Sequence, residues 1–104
     1  MRIIALKSCQ KEIEAFPLDV KEQISDYLAL VTIGEILYPP AAKYLGSIAR
    51  GLWELRMRSR SGQYRLVFMM RPGHTIYLLH GFKKTTQHIE LRTRKTIKER
   101  LTQI

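Results

Sequence analysis

Arg56, Arg58 and Arg65 stand on two neighbouring runs of alternating residues, with His80, Lys83 and Lys84 at the end of a third. A guanidinium offers a planar fork of donors that matches phosphate oxygens, so arginines meeting on one surface point to a phosphate-binding patch. Histidine is the side chain whose ordinary pKa lies nearest neutrality, which makes His80 a candidate general acid or base. Lys83 or Lys84 could fill that role if neighbouring cations disfavour its protonated form. The bland alternative is that these cations only keep an exposed sheet face in solution. Glu54 is the one acidic residue among them, whereas a merely solvated face usually mixes signs.

The convergence depends on strands. Leu52–Arg58, Gln63–Arg71 and Thr75–Phe82 read as strands, separated by Ser61-Gly62 and Pro72-Gly73 at the turns. Successive side chains alternate between faces, so a hairpin with an even-numbered loop brings odd positions of one strand beside even positions of the next. Trp53, Leu55 and Met57 then share a core face with Tyr64, Leu66 and Phe68, leaving Arg56, Arg58 and Arg65 together on the other. With Pro72-Gly73 as the centre of the second turn, Arg65 lies opposite His80.

The remaining elements build the support. Residues 2–6 are rich in β-branched side chains and read as a strand, and Cys9–Phe16 as a short helix stopped by Pro17. Asp19 and Glu22 have the spacing of an N-cap and its third helical position. Val20, Ile24, Tyr27, Leu28 and Val31 then fall on one face of a second helix ending between Gly34 and Tyr38. Residues 39–51, with Pro39-Pro40 and two glycines, read as a connection. His74 is expected in a turn. Ile89–Ile104 contains no Gly or Pro and places Ile97, Leu101 and Ile104 on one helical stripe. The expected fold is α+β: a single domain over residues 1–104 with a small, mainly antiparallel sheet, N-terminal helices packed on one face, and a C-terminal helix.

Composition narrows the partners. The 104 residues carry 18 Lys plus Arg against 9 Asp plus Glu, a formal charge of +9. Self-repulsion on that scale is offset by an anionic partner: nucleic acid first, then an acidic membrane surface or an acidic protein. No apolar run approaches the roughly 18 residues of a membrane-spanning helix, and the N-terminal apolar stretch is too short for a signal sequence. A single cysteine, Cys9, forms no internal disulfide, and no clustered Cys/His pattern suggests zinc. A reduced cytoplasmic protein is expected.

Gly51-Leu-Trp-Glu-Leu-Arg56, Tyr64-Arg-Leu-Val-Phe68 and Leu78-Leu-His-Gly-Phe-Lys-Lys84 together resemble the RelE/HigB toxin superfamily, in its phage-derived HigB-type branch. The likeness is best from Lys43 to Lys84. It implies a type II toxin that cleaves messenger RNA on the ribosome and is held inactive by a cognate antitoxin. The implied fold is a small sheet with helices on one side and RNA across the other. By matching motif positions, the resemblance assigns catalytic roles to Arg56, Arg65, His80, Lys83 and Lys84, and RNA contacts to Arg58, Gln87 and His88. It implies no metal and no small-molecule cofactor, because RNA carries its own nucleophile in the 2′-hydroxyl. The chain departs from the family after Lys84. A longer Lys-Lys-Thr-Gln-Lys-Thr-Pro run is replaced by Thr85-Thr86-Gln87-His88-Ile89-Glu90, so one expected lysine becomes Thr85 or His88. Two alternatives stay open: a ParE-like toxin of the same fold acting on DNA gyrase, and a basic nucleic-acid-binding module without catalysis.

Overall fold

The structure is a computed structural model and describes residues 2–73, 75–85 and 90–104. His74, Gln87, His88 and the expected helix start at Ile89 lie outside the described residues. The elements are β1 (Arg2–Ala5), α1 (Lys7–Glu14), α2 (Leu18–Thr32), β2 (Ala42–Tyr44), β3 (Leu52–Ser59), β4 (Gly62–Arg71), β5 (Thr75–Lys84) and α3 (Leu91–Leu101). The strands form one five-stranded sheet in the order β1-β5-β4-β3-β2. β1 runs parallel to β5 and every other pairing is antiparallel. The expected α+β architecture is the observed one.

The first hairpin follows the alternation argument. Ser59 pairs with Gly62, so the loop has an even number of residues, and the ladder sets Leu55 against Leu66, Met57 against Tyr64 and Arg56 against Arg65. Leu55, Met57, Tyr64, Leu66 and Phe68 are buried with Cys9, Phe16, Val20, Ile24 and Val31, which is where α1 and α2 cover the sheet. That burial of apolar area is the dominant force holding the two helices down. Gly81 on β5 permits the close approach: a Cβ there would sit 3.0 Å from Phe16 Cζ and 3.6 Å from Ile13 Cγ1.

Four expectations need correction. The capping pair is displaced, because α2 begins at Leu18 with Pro17 at its N-cap and no side-chain cap. Pro17 has its φ already preset and lacks an N–H, so the helix starts immediately behind it. Asp19 instead accepts a hydrogen bond from Ser59 Oγ at 3.1 Å. The segment 39–51 contains β2, three residues that lie against Trp53–Leu55 and put Lys43 opposite Glu54.

The register of β5 is also different. Arg71 pairs with Thr75, so the second turn is one residue longer than Pro72-Gly73, and a bulge between Val67 and Phe68 adds a further shift. Arg65 therefore faces Phe82, and His80 faces Val67. Lastly, the face away from α1 and α2 is not free of helix. Ile97 of α3 is fully buried there against a second core of Leu52, Val67, Met69 and Leu79. Beside that core on the same face lie Glu54, Arg56 and Arg65.

Candidate functional site

Both free edges of the sheet are finished by side chains near the basic residues. Beyond Leu55, where β2 ends, Gln23 of α2 acts as a substitute strand. Its Nε2 donates to Arg58 O at 2.8 Å and its Oε1 accepts from Arg58 N at 3.1 Å. Beyond Leu78, where β1 ends, Gly81 N donates to Glu12 Oε1 at 3.1 Å and Arg100 Nη1 donates to Leu79 O at 2.8 Å. An unpaired strand edge is costly to bury and prone to wrong pairing, so these contacts hold β3 and β5 in place while they present their side chains.

The arginine cluster is centred on a buried acid. Glu54 is 3% exposed, and its Oε1 lies 3.4 Å from Arg56 Nε and 3.5 Å from Arg65 Nε. Arg65 is itself only 5% exposed, donating Nη1 to Tyr64 O at 3.1 Å and Nη2 to Gln63 Oε1 at 2.9 Å. Its Nε is buried and makes no hydrogen bond. Burial pushes the Arg65 pKa down, Glu54 works against that, and Arg56 and Arg58 add to it. The cluster thus holds more positive charge than its one carboxylate balances, in a place where water screens poorly. An added anion is the natural complement.

Lys84 joins this cluster and Lys83 does not. Lys84 pairs with Gln63, on the same face as Arg65, and is half-buried. Its pKa is lowered by burial and then by Arg65, with Glu54 opposing and Arg56 and Lys43 contributing. Lys83 pairs with Tyr64 on the other face, is exposed, and lies over Gly62. Arg58 is exposed at the rim, opposite Gln63. Lys43 faces the cluster from β2, opposite Glu54. Strand alternation from Glu54 could have found it, had residues 42–44 been read as a strand.

His80 belongs to a separate network. Its Nδ1 lies 3.0 and 3.1 Å from the two carboxylate oxygens of Glu12, and its ring stacks on Phe82 with centroids 5.0 Å apart. Arg100 Nη1 and Nη2 reach the same carboxylate at 2.7 and 3.0 Å. Burial alone would raise the Glu12 pKa, but the hydrogen bonds from His80, Arg100 and Gly81 outweigh it and bring the value to about 2. An ionised Glu12 is acceptor-only, so His80 Nδ1 donates to it and Glu12 orients the ring. Cys9 is fully buried, its thiol pushed up to about 12 chiefly by that burial and next by Glu12. It offers no nucleophile to this surface.

The fold has known relatives. The structure resembles a double Arg-to-Ala variant of the E. coli toxin RelE in the free state, with a TM-score of 0.67 at 18% identity, covering 99% of this chain and 96% of that one. It also resembles a chain of the intact E. coli RelBE toxin-antitoxin complex, with a TM-score of 0.60 at 20% identity, covering 82% and 98%. At those identities the likeness establishes a RelE fold. No curated protein matches the sequence significantly. The model of the phage-derived Gp49-like proteins matches residues 11–102, almost the whole chain and all of the cluster just described, and the protein therefore belongs to the phage-derived Gp49-like family.

Proposed function

We propose that this protein is the toxin of a type II toxin–antitoxin pair, of the HigB kind, and that it cleaves messenger RNA on the ribosome in the cytoplasm. The observation that carries the reading is the pairing of Arg56 with Arg65 around a buried Glu54, with Lys84 beside them on the same face. Cleavage by the 2′-hydroxyl needs the nucleophile held in line with the phosphorus, the developing phosphorane charge stabilised, and two protons moved. Arg56 and Arg65 supply the charge. They are held in position before substrate arrives, and fixed dipoles of that kind are the efficient ones. Lys84 is the leading candidate for proton transfer, since a lysine with a lowered pKa is nearer the useful range. His80, oriented by Glu12, is the second candidate, and Lys83, on the opposite face, the third. Arg58, Gln87 and His88 are proposed RNA contacts.

A cognate antitoxin is the proposed protein partner, supported by the RelE-fold chain of the RelBE complex. Internal engagement of both Arg65 Nη groups favours one rival, a basic binding module that does not cleave. Expression followed by mapping of new 5′ ends on ribosome-bound transcripts decides between them. New ends with 2′,3′-cyclic phosphate on the upstream fragment are expected, and they should vanish with Arg65→Ala. Unchanged transcripts, or products bearing a 5′-phosphate, overturn the proposal.

A further inference from the structure

A cleft of about 410 Å³ opens at the edge of β3, directly beside the arginine cluster. Its lining includes a basic set, Arg56, Arg58 and Arg65, and a second wall of Tyr27 of α2 and Pro40, with Tyr27 half-buried and packed on its inner side against the main core. A phosphate alone has no use for the second wall. Single-stranded RNA, however, is characteristically bound by splaying a base out of its stack and laying it on an aromatic side chain, with cations along its backbone. The cleft is braced for such a role. Gln23 spends its amide on the two backbone groups of Arg58 and on Asp19 O at 3.2 Å, tying α2 to β3 across the cleft.

Resting on the RNA-cleavage reading above, we propose that this cleft holds one unstacked RNA base against Tyr27 and Pro40, while Arg56 and Arg58, the more exposed arginines of the basic wall, hold the adjoining phosphates. The occupant is an RNA nucleotide flanking the cleaved bond. Because the Gln23 amide is already engaged, it is not free to read a base edge. The cleft therefore accepts bases by stacking and discriminates weakly among them.

The test uses the whole protein and a short 2′-O-methyl RNA, which cannot be cleaved, carrying one 2-aminopurine. A fully abasic strand of the same length is the comparison. Wild-type protein should quench the 2-aminopurine. Tyr27→Ala should weaken binding of the base-bearing strand by about 5- to 100-fold, the range of one lost base–aromatic stack, and leave the abasic strand unaffected. Tyr27→Phe should bind as wild type. Equal weakening on both strands, no weakening in Tyr27→Ala, or no quench with wild-type protein overturns the base subsite. The double variant Arg56→Ala, Arg58→Ala, which leaves the buried Arg65 in place, separates that failure from failure of the parent reading. If it weakens both strands, RNA binding stands without the subsite; if it weakens neither, the RNA reading falls as well. The quench needs no variant, so a poorly folded Tyr27→Ala still leaves a deciding measurement.

Discussion

Arg56 and Arg65 are direct partners across the β3–β4 ladder, and one oxygen of Glu54 stands within 3.5 Å of the Nε of each. Like charges set opposite one another on a sheet are ordinarily destabilising. Here the repulsion is relieved by a carboxylate two residues along β3 on the same face. The arrangement keeps both guanidinium groups aimed at one place and leaves a net positive charge for a ligand.

Glu54 should accordingly be a stability residue before it is anything else. Glu54→Gln leaves the buried Arg65 facing Arg56 without its counter-charge, at a cost of about 3 kcal/mol. Urea unfolding measures it. The double variant Glu54→Gln, Arg56→Gln should recover part of the loss because the repulsion goes with it. A single variant as stable as wild type would show that the carboxylate is not what reconciles the two arginines.

Glu12 makes stability depend on acid. Its folded pKa of about 2 lies below the ordinary glutamate value of 4.5, so it contributes stability above roughly pH 4.5, lost progressively as pH falls toward 2. Glu12→Gln should flatten that limb of the stability–pH curve. Because the same carboxylate binds Arg100, the variant should also speed amide exchange in α3 near its C-terminal end.

Lys84 and Lys83 should separate cleanly. Lys84→Ala is expected to reduce cleavage by about 100-fold or more if it moves a proton, the usual scale of general acid–base catalysis. Lys83→Ala, on the other face, should leave cleavage near wild type. In the wild-type pH–rate profile, a limb governed by Lys84 should fall below the ordinary lysine range, since burial and Arg65 lower its pKa. Equal effects of the two substitutions would contradict the assignment.

His80→Asn gives the complementary result. The asparagine amide can donate to Glu12 as Nδ1–H does, so the fold should survive. If His80 serves mainly to tie β5 to α1 and α3, cleavage should drop by less than the roughly 100-fold expected for loss of a general acid. A larger loss at unchanged melting temperature would transfer the proton role from Lys84 to His80.

Much of the design was legible in the residues alone. Alternation along Leu52–Ser59 and Gly62–Arg71, joined by a short even loop, was enough to put Arg56, Arg58 and Arg65 on one face and Leu55, Met57, Tyr64 and Leu66 on the other. Helical spacing from Val20 to Val31 likewise identified the side of α2 that reaches the core. These are local properties, set by the two-residue repeat of a strand and the 3.6-residue repeat of a helix.

The tertiary structure decided the rest. The longer second turn and the bulge beside Val67 together moved His80 away from Arg65, and the pairing of Lys43 with Glu54 made a strand of residues that read as a connection. Glu12 and Arg100 stand 88 positions apart, with no pattern in the chain linking them, yet they share the carboxylate contact that closes the β5 edge. Periodicity says which way a side chain points from its own backbone. Which neighbour it meets depends on how distant segments slide against one another until backbone groups are paired and apolar area is covered, a condition that belongs to the whole fold.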